Sequence, residues 1–142
     1  MHKSLRPRAN LILIAVLATI VISAVVMPAE PSRLTVVAIG ACLGAVAGVL
    51  QLRAMSEEKA RFVVASTALE VRKAMSASKS GRLAIYVLGL SVAVLLVCAF
   101  VQKEGLLVRW IAGYAAFALI RDSIALKGCY MLQQVAQADE KG

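Results

Sequence analysis

The sequence predicts an all-α integral membrane protein: four transmembrane helices arranged as two antiparallel hairpins, with a helical cytoplasmic extension between spans two and three. Three observations carry that prediction. Of 142 residues, 61% are hydrophobic and only 17% charged, and the mean hydropathy is +0.81. A soluble domain of this size leaves too much of its surface in water to hide such a composition. The apolar residues also fall into uncharged runs near the roughly 20 residues that a 30 Å hydrocarbon core requires. Finally, the net charge of +8 is concentrated between and beside those runs.

Residues 1–8 form a basic N-terminal segment with Lys3, Arg6 and Arg8. The first hairpin covers residues 9–52. Its first run, Ala9 to Met27, has only Asn10, Thr19 and Ser23 as polar residues and stops at Pro28. The stretch Leu11 to Val26 is somewhat long for the apolar region of a signal peptide, and no A-x-A site follows, so a retained span is expected. Pro28, Glu30 and Pro31 make a stiff turn into the second run, Leu34 to Leu52, which has no charge.

Gly40, Gly44 and Gly48 stand at four-residue intervals in that second run, with Ala41 and Ala45 beside them. Residues so spaced share one helix face, and a face without side chains permits the close approach that drives helix association in lipid. This face is expected to hold span one or span three of the same chain, or to meet a second copy. Ala112, Gly113 and Ala116 form a weaker version in span four.

Residues 53–82 are the cytoplasmic arm. No glycine or proline occurs between Gly48 and Gly81, so one continuous helix from Leu34 to Lys79, roughly 69 Å long, is expected. Ala60, Val63, Val64, Thr67, Ala68, Val71, Ala74 and Met75 recur at helical spacing and mark a partner face, with Phe62 and Leu69 on the opposite side. Glu57 with Arg61, and Glu70 with Lys73, can pair along it. Ser76, Ser78, Ser80 and Gly81 then supply the turn into span three.

The second hairpin covers residues 83–126. Leu83 to Val101 is uncharged, Gln102 to Gly105 is a short link, and Leu106 to Leu126 contains Arg109, Arg121 and Asp122. Arg109 and Trp110 are expected to anchor one interface, Arg121 and Asp122 the other. Residues 127–142 form a short helical tail.

Orientation follows from the cations, which collect on cytoplasmic loops. Lys3, Arg6, Arg8, Arg53, Lys59, Arg61, Arg72, Lys73, Lys79, Arg82, Arg121, Lys127 and Lys141 fall on one side, and only Arg33, Lys103 and Arg109 on the other. Both termini and the arm are therefore expected to be cytoplasmic, in the inner (plasma) membrane. The positive charge reads as a topology signal and an attraction to anionic lipid heads rather than a nucleic-acid surface.

Chemistry-bearing patterns are sparse. His2 is the only histidine, and Cys42, Cys98 and Cys129 lie in separate segments, so no metal set or catalytic constellation is expected. No phosphate-binding loop is present, no proline interrupts a span, and spans one to three carry no ionisable group at depth. The expectation is a non-enzymatic membrane scaffold or accessory subunit, without cofactor, that self-associates or docks another membrane or cytoplasmic protein through its arm. The alternative is a homo-oligomeric pore, holin-like or gated, built on the glycine face and lined by Thr19, Ser23 and Thr35.

Overall fold

The computed structural model describes residues 2–26, 31–101 and 106–142, with the side chains of 31–33 and 106–107 left undescribed. Among these residues every regular element is helical. After a 3-10 turn, Lys3–Leu5, come α1 (Pro7–Val26), α2 (Pro31–Glu57), α3 (Lys59–Val64), α4 (Ala68–Ala77), α5 (Lys79–Phe100) and α6 (Leu106–Lys141). Proline is the first helical residue of both α1 and α2, where its missing N–H costs nothing and its fixed φ suits the helix. The short links expected at Pro28 to Pro31 and at Gln102 to Gly105 lie outside the described residues, apart from Pro31, which opens α2.

Among the described residues three helices are long and apolar enough to cross a membrane: Pro7–Val26, Leu34–Glu57 and Lys79–Phe100. The fourth long helix, α6, is the centre of the bundle. It packs along α2, touches α1 and α5, and carries a nearly continuous buried face of Ala112, Ala115, Ala116, Phe117, Ala118 and Ala125. It does not stop at Leu126: the expected separate tail is the continuation of one 36-residue helix.

α2 and α6 run in the same direction. Gly40 meets the backbone of Gly113, Gly44 that of Phe117, Gly48 lies on Arg121 and Ile124, and Leu52 and Met55 lie on Gly128. α1 runs the opposite way, since Asn10 near its start reaches Cys129 late in α6. α5 also opposes them, with Leu95 against Gly113 and Val36.

The arm is not a continuous rod. α2 ends at Glu57, Glu58 leaves helical geometry at φ −119° and ψ 40°, and α3 ends in extended backbone at Ala65. A second helix starts at Thr67, whose hydroxyl accepts from the Glu70 amide at 3.3 Å. The Glu70 carboxylate accepts from the amides of Thr67 at 3.2 Å and Ser66 at 2.7 Å. This reciprocal capping box satisfies amides that a helix start leaves open, so α4 begins there at little cost.

Folding back also removes Phe62 from water. Its ring is fully buried with Leu5, Met55, Ala74, Cys129 and Leu132, where a straight rod would expose it. Burying one such ring stabilises by roughly 1.5–3 kcal/mol. The expected ion pairs shift accordingly: Glu57 pairs with Arg53 at 3.6 Å and Arg61 with Glu58 at 3.1 Å. Glu70 is held by its own cap rather than by Lys73. At the far end Ser78 caps α5 by accepting from the Gly81 amide at 3.0 Å. A Cβ on Gly81 would collide with the Met75 carbonyl, so this elbow requires glycine.

Candidate functional site

Two features stand at the end of the bundle where α2, α3, α4 and the extension of α6 converge. The first is an open groove between α3 and α4, of about 440 Å³, lined by Ala60, Arg61, Val64, Ala65, Glu70, Lys73 and Ala74. The second is a chamber of about 170 Å³ beneath α4, lined by Asn10, Gln51, Arg121, Asp122 and Cys129 together with a mainly apolar wall.

The expected partner face is divided between them. Val63, Val71 and Met75 turn inward and pack on the Phe62 cluster. Ala60, Val64 and Thr67 stay outward, and Val64 is 79% exposed. The expected single face is split within α3, where Val63 turns inward while Ala60 and Val64 face out, and the break at Ala65 to Thr67 separates α3 from α4. Phe62, expected opposite the partner face, is the anchor of the buried side. Leu69 is exposed.

The Thr67 box fixes the shape of the groove by setting where α4 starts. Three hydrogen bonds to the Glu70 carboxylate, from the Ser66 amide first, then the Ser66 hydroxyl and the Thr67 amide, hold its pKa below the ordinary value of 4.5. Arg61 and Lys73 are exposed at this opening and also border a neighbouring hollow that exposed Arg72 and Leu69 line.

In the chamber Arg121 Nε contacts Asp122 Oδ1 at 3.2 Å, so these two residues pair as expected, and the guanidinium lies 5.4 Å from the centroid of the Phe117 ring. The other carboxylate oxygen, Oδ2, is buried and meets no donor among the described residues. Asn10 crosses from α1, donating through Nδ2 to the Ser4 carbonyl at 2.8 Å and to Cys129 Sγ at 3.2 Å. Burial pushes the Cys129 thiol pKa up, the Asn10 contact opposes this, and the nearby Asp122 charge raises it further.

The remaining sequence candidates lie away from this end or serve packing. Gly40, Gly44 and Gly48 are buried, and their face is filled by α6 of the same chain, not by span one or span three. Ala41 and Ala45 are half-buried beside that line. Arg109 is only 8% exposed. Trp110 stacks on Tyr114 at 5.4 Å, and Tyr114 on Phe117 at 5.9 Å, so an aromatic row leads along α6 towards Arg121. Among the described residues no three His, Cys, Asp or Glu side chains are grouped as metal ligands.

The chamber is the part that sequence reading missed. Asn10, Gln51 and Asp122 come from three helices, and the one usable signal was polar residues near the same end of three runs. Compared with known proteins, the chain matches no family model, no curated protein and no solved structure.

Proposed function

We propose that the chain is a four-span inner-membrane scaffold or accessory subunit that docks a partner helix on its cytoplasmic cap. The groove between α3 and α4 is the observation that carries this reading: an outward surface of alanines, Val64 and three charged side chains on a helical cap whose other face is already packed.

The fourth span rests on the register of α6. Since α6 lies parallel to α2 from Gly113 to Gly128, a membrane crossed by α2 is crossed by α6 at the same depth. Arg121 and Asp122 then fall level with Gly48, near one boundary, and their mutual contact lessens the cost of charge there. The basic residues of the cap and both termini support a cytoplasmic position for that boundary. The antiparallel course of α1 and α5 against α2 and α6 supports an arrangement of two hairpins.

The partner that suits the groove is a helix with small apolar residues at the contact and an acidic residue for Lys73 or Arg61. The pore alternative is less well supported. It rests on the Gly40, Gly44 and Gly48 row with Thr19, Ser23 and Thr35 as lining, and α6 occupies the glycine row within one chain. A photo-cross-linking residue at Val64 in native membranes should capture one discrete adduct, whereas the same probe at the buried Phe62 should not. An adduct to the chain itself would redirect the reading to self-association. Absence of any adduct, with a monodisperse monomer whose arm is dispensable, would sink it.

A further inference from the structure

A strongly basic surface runs over the outer side of α4 to the start of α5, and the docking groove does not account for it. From Glu58 to Arg82 the sequence places six cations, Lys59, Arg61, Arg72, Lys73, Lys79 and Arg82, against two acids, Glu58 and Glu70. Both acids are engaged within the cap. Glu58 holds Arg61 at 3.1 Å, and the Glu70 carboxylate takes the Ser66 and Thr67 amides and the Ser66 hydroxyl. All six cations are exposed. The segment supplies too few anions for its own cations, so this face attracts negative charge from outside.

Three of the cations converge. Arg61, Arg72 and Lys73 line an open hollow of about 400 Å³ together with Leu69, Ser76 and Ala77, and no carboxylate stands in that lining among the described residues. Room of this order suits one small ligand or head group. Arg72 and Leu69 belong to this hollow and not to the groove between α3 and α4, which shares only Arg61 and Lys73 with it. The Ser76 hydroxyl donates to the Arg72 carbonyl at 3.0 Å, which leaves the cations as the donors. Leu69, 62% exposed, sets an aliphatic chain beside them.

The place of the hollow in the fold selects the anion. α4 passes into α5 through an elbow so tight that Gly81 lies on the Met75 carbonyl. α5 opens at Lys79 as one of the helices long and apolar enough to cross a membrane. Ala77 is two residues before that start, at most about 7 Å along the chain. On the first turns of α5, Lys79, Arg82 and Tyr86 are spaced to share one face, and all three are exposed. Cations followed inward by a tyrosine mark a helix passing from head groups into hydrocarbon. The hollow therefore stands at head-group level, where a charged phosphate and an apolar chain arrive on the same molecule.

We propose that the outer face of α4 binds the head group of one anionic phospholipid, with Arg72 and Lys73 on the phosphate, Arg61 at the rim and Leu69 against the lipid's apolar part. The assignment rests on α5 crossing the membrane from Lys79, and not on the identity of any partner helix.

The full chain in neutral detergent is titrated with phosphatidylglycerol or phosphatidylcholine, and bound lipid is counted by native mass spectrometry. Each cation near a lipid surface contributes roughly fivefold, so Arg72 and Lys73 together should favour phosphatidylglycerol about 25-fold. Arg72→Gln with Lys73→Gln should remove that preference. Lys127→Gln with Lys141→Gln, which takes the same charge from α6 outside the hollow, should keep it. Glycerol phosphate and soluble polyglutamate should not displace the lipid. Equal retention of the two lipids overturns the proposal, as does equal loss in both double variants, which is attraction to net charge alone. Displacement by glycerol phosphate or polyglutamate assigns the face to a soluble anion and overturns it too. Should the variant at Arg72 and Lys73 fail to fold, the titrations and displacement series on the native chain decide. In open membrane fragments, with Cys42→Ala and Cys98→Ala, Ala77→Cys should react with an impermeant maleimide and Tyr86→Cys should not. Reaction at both positions removes the span and the proposal together, whereas protection of Tyr86→Cys without a phosphatidylglycerol preference removes the lipid site alone.

Discussion

Gly40 of α2 and Gly113 of α6 meet backbone to backbone, so that a Cβ on Gly40 would fall on the Gly113 carbonyl. Four residues on, Gly44 meets Phe117 in the same way. In lipid, where helices gain nothing from leaving water, this approach is what holds α2 to α6. The cost of a side chain is therefore local and steric. Gly44→Ala should destabilise by about 1–3 kcal/mol, the usual range for overpacking. Gly89→Ala should not, because nothing lies within 4 Å of its added methyl, and alanine's helix propensity favours it by up to about 1 kcal/mol. Thermal unfolding of both variants in one detergent checks the contrast. Equal melting temperatures would mean that the glycine face is not the main contact.

Phe62 holds the cap to the bundle through Leu5, Met55, Cys129 and Leu132, which come from the 3-10 turn, α2 and α6. Phe62→Ala should cost about 3–5 kcal/mol at this site, as for other buried aromatic truncations. The loss should fall on the cap, since the contacts of α2 with α6 deeper in the bundle do not involve it. Trypsin should then cut at Lys59 and Arg61 far faster than in the native chain, with overall helicity nearly retained. Val64→Ala should leave proteolysis unchanged, because Val64 already faces water.

The apolar helices were legible because uncharged runs of about the right length admit few other readings, and three of them are long and apolar enough to cross a membrane, but their ends were not: α2 runs on to Glu57 and α6 to Lys141. The glycine face was legible as a packing surface, but its occupant was not, since spacing says how close a neighbour comes and not which helix it is. Three of the four long helices offer apolar faces that would have fitted. The arm failed for a definable reason. Absence of glycine and proline permits a helix to continue, yet Thr67-Ala-Leu-Glu70 is a capping box written in the sequence, and a helix start implies a preceding stop. Tertiary burial of Phe62 then decided the direction of the fold-back. The chamber needs three helices in register and is invisible to any single run.

The capping box makes the start of α4 sensitive to acid. The Glu70 pKa is lowered in the fold, chiefly by the Ser66 amide. A depressed carboxylate contributes stability that is fully present above its unfolded value of 4.5 and is lost as pH falls through the lower folded value. Amide exchange in the first turn of α4 should thus be protected at neutral pH and lose part of that protection below about pH 4, when other helices are unaffected. Glu70→Gln should show the weaker protection at every pH, and Thr67→Ala should cost about 1 kcal/mol of local stability independent of it. A flat profile for the native chain would mean that the carboxylate is not what fixes the groove.

Cys129 should alkylate from water more slowly than a free thiol. Only the thiolate reacts, and burial raises the pKa of this thiol above 9.0, so little thiolate is present at neutral pH. The raised value also fixes the sign of the pH dependence: the Cys129 rate should still be climbing at a pH where a free thiol has levelled off. Asn10 opposes the shift by donating to the sulfur at 3.2 Å. Asn10→Ala removes that donor, and electrostatics alone would then lower the thiolate fraction. The same change opens the wall between α1 and α6, which raises access. The two effects separate by measuring alkylation with iodoacetamide across pH. The midpoint of the rate profile should move upward in Asn10→Ala, and its plateau should rise. A midpoint that moves down would show that the amide does not stabilise the thiolate, and that access alone governs this residue.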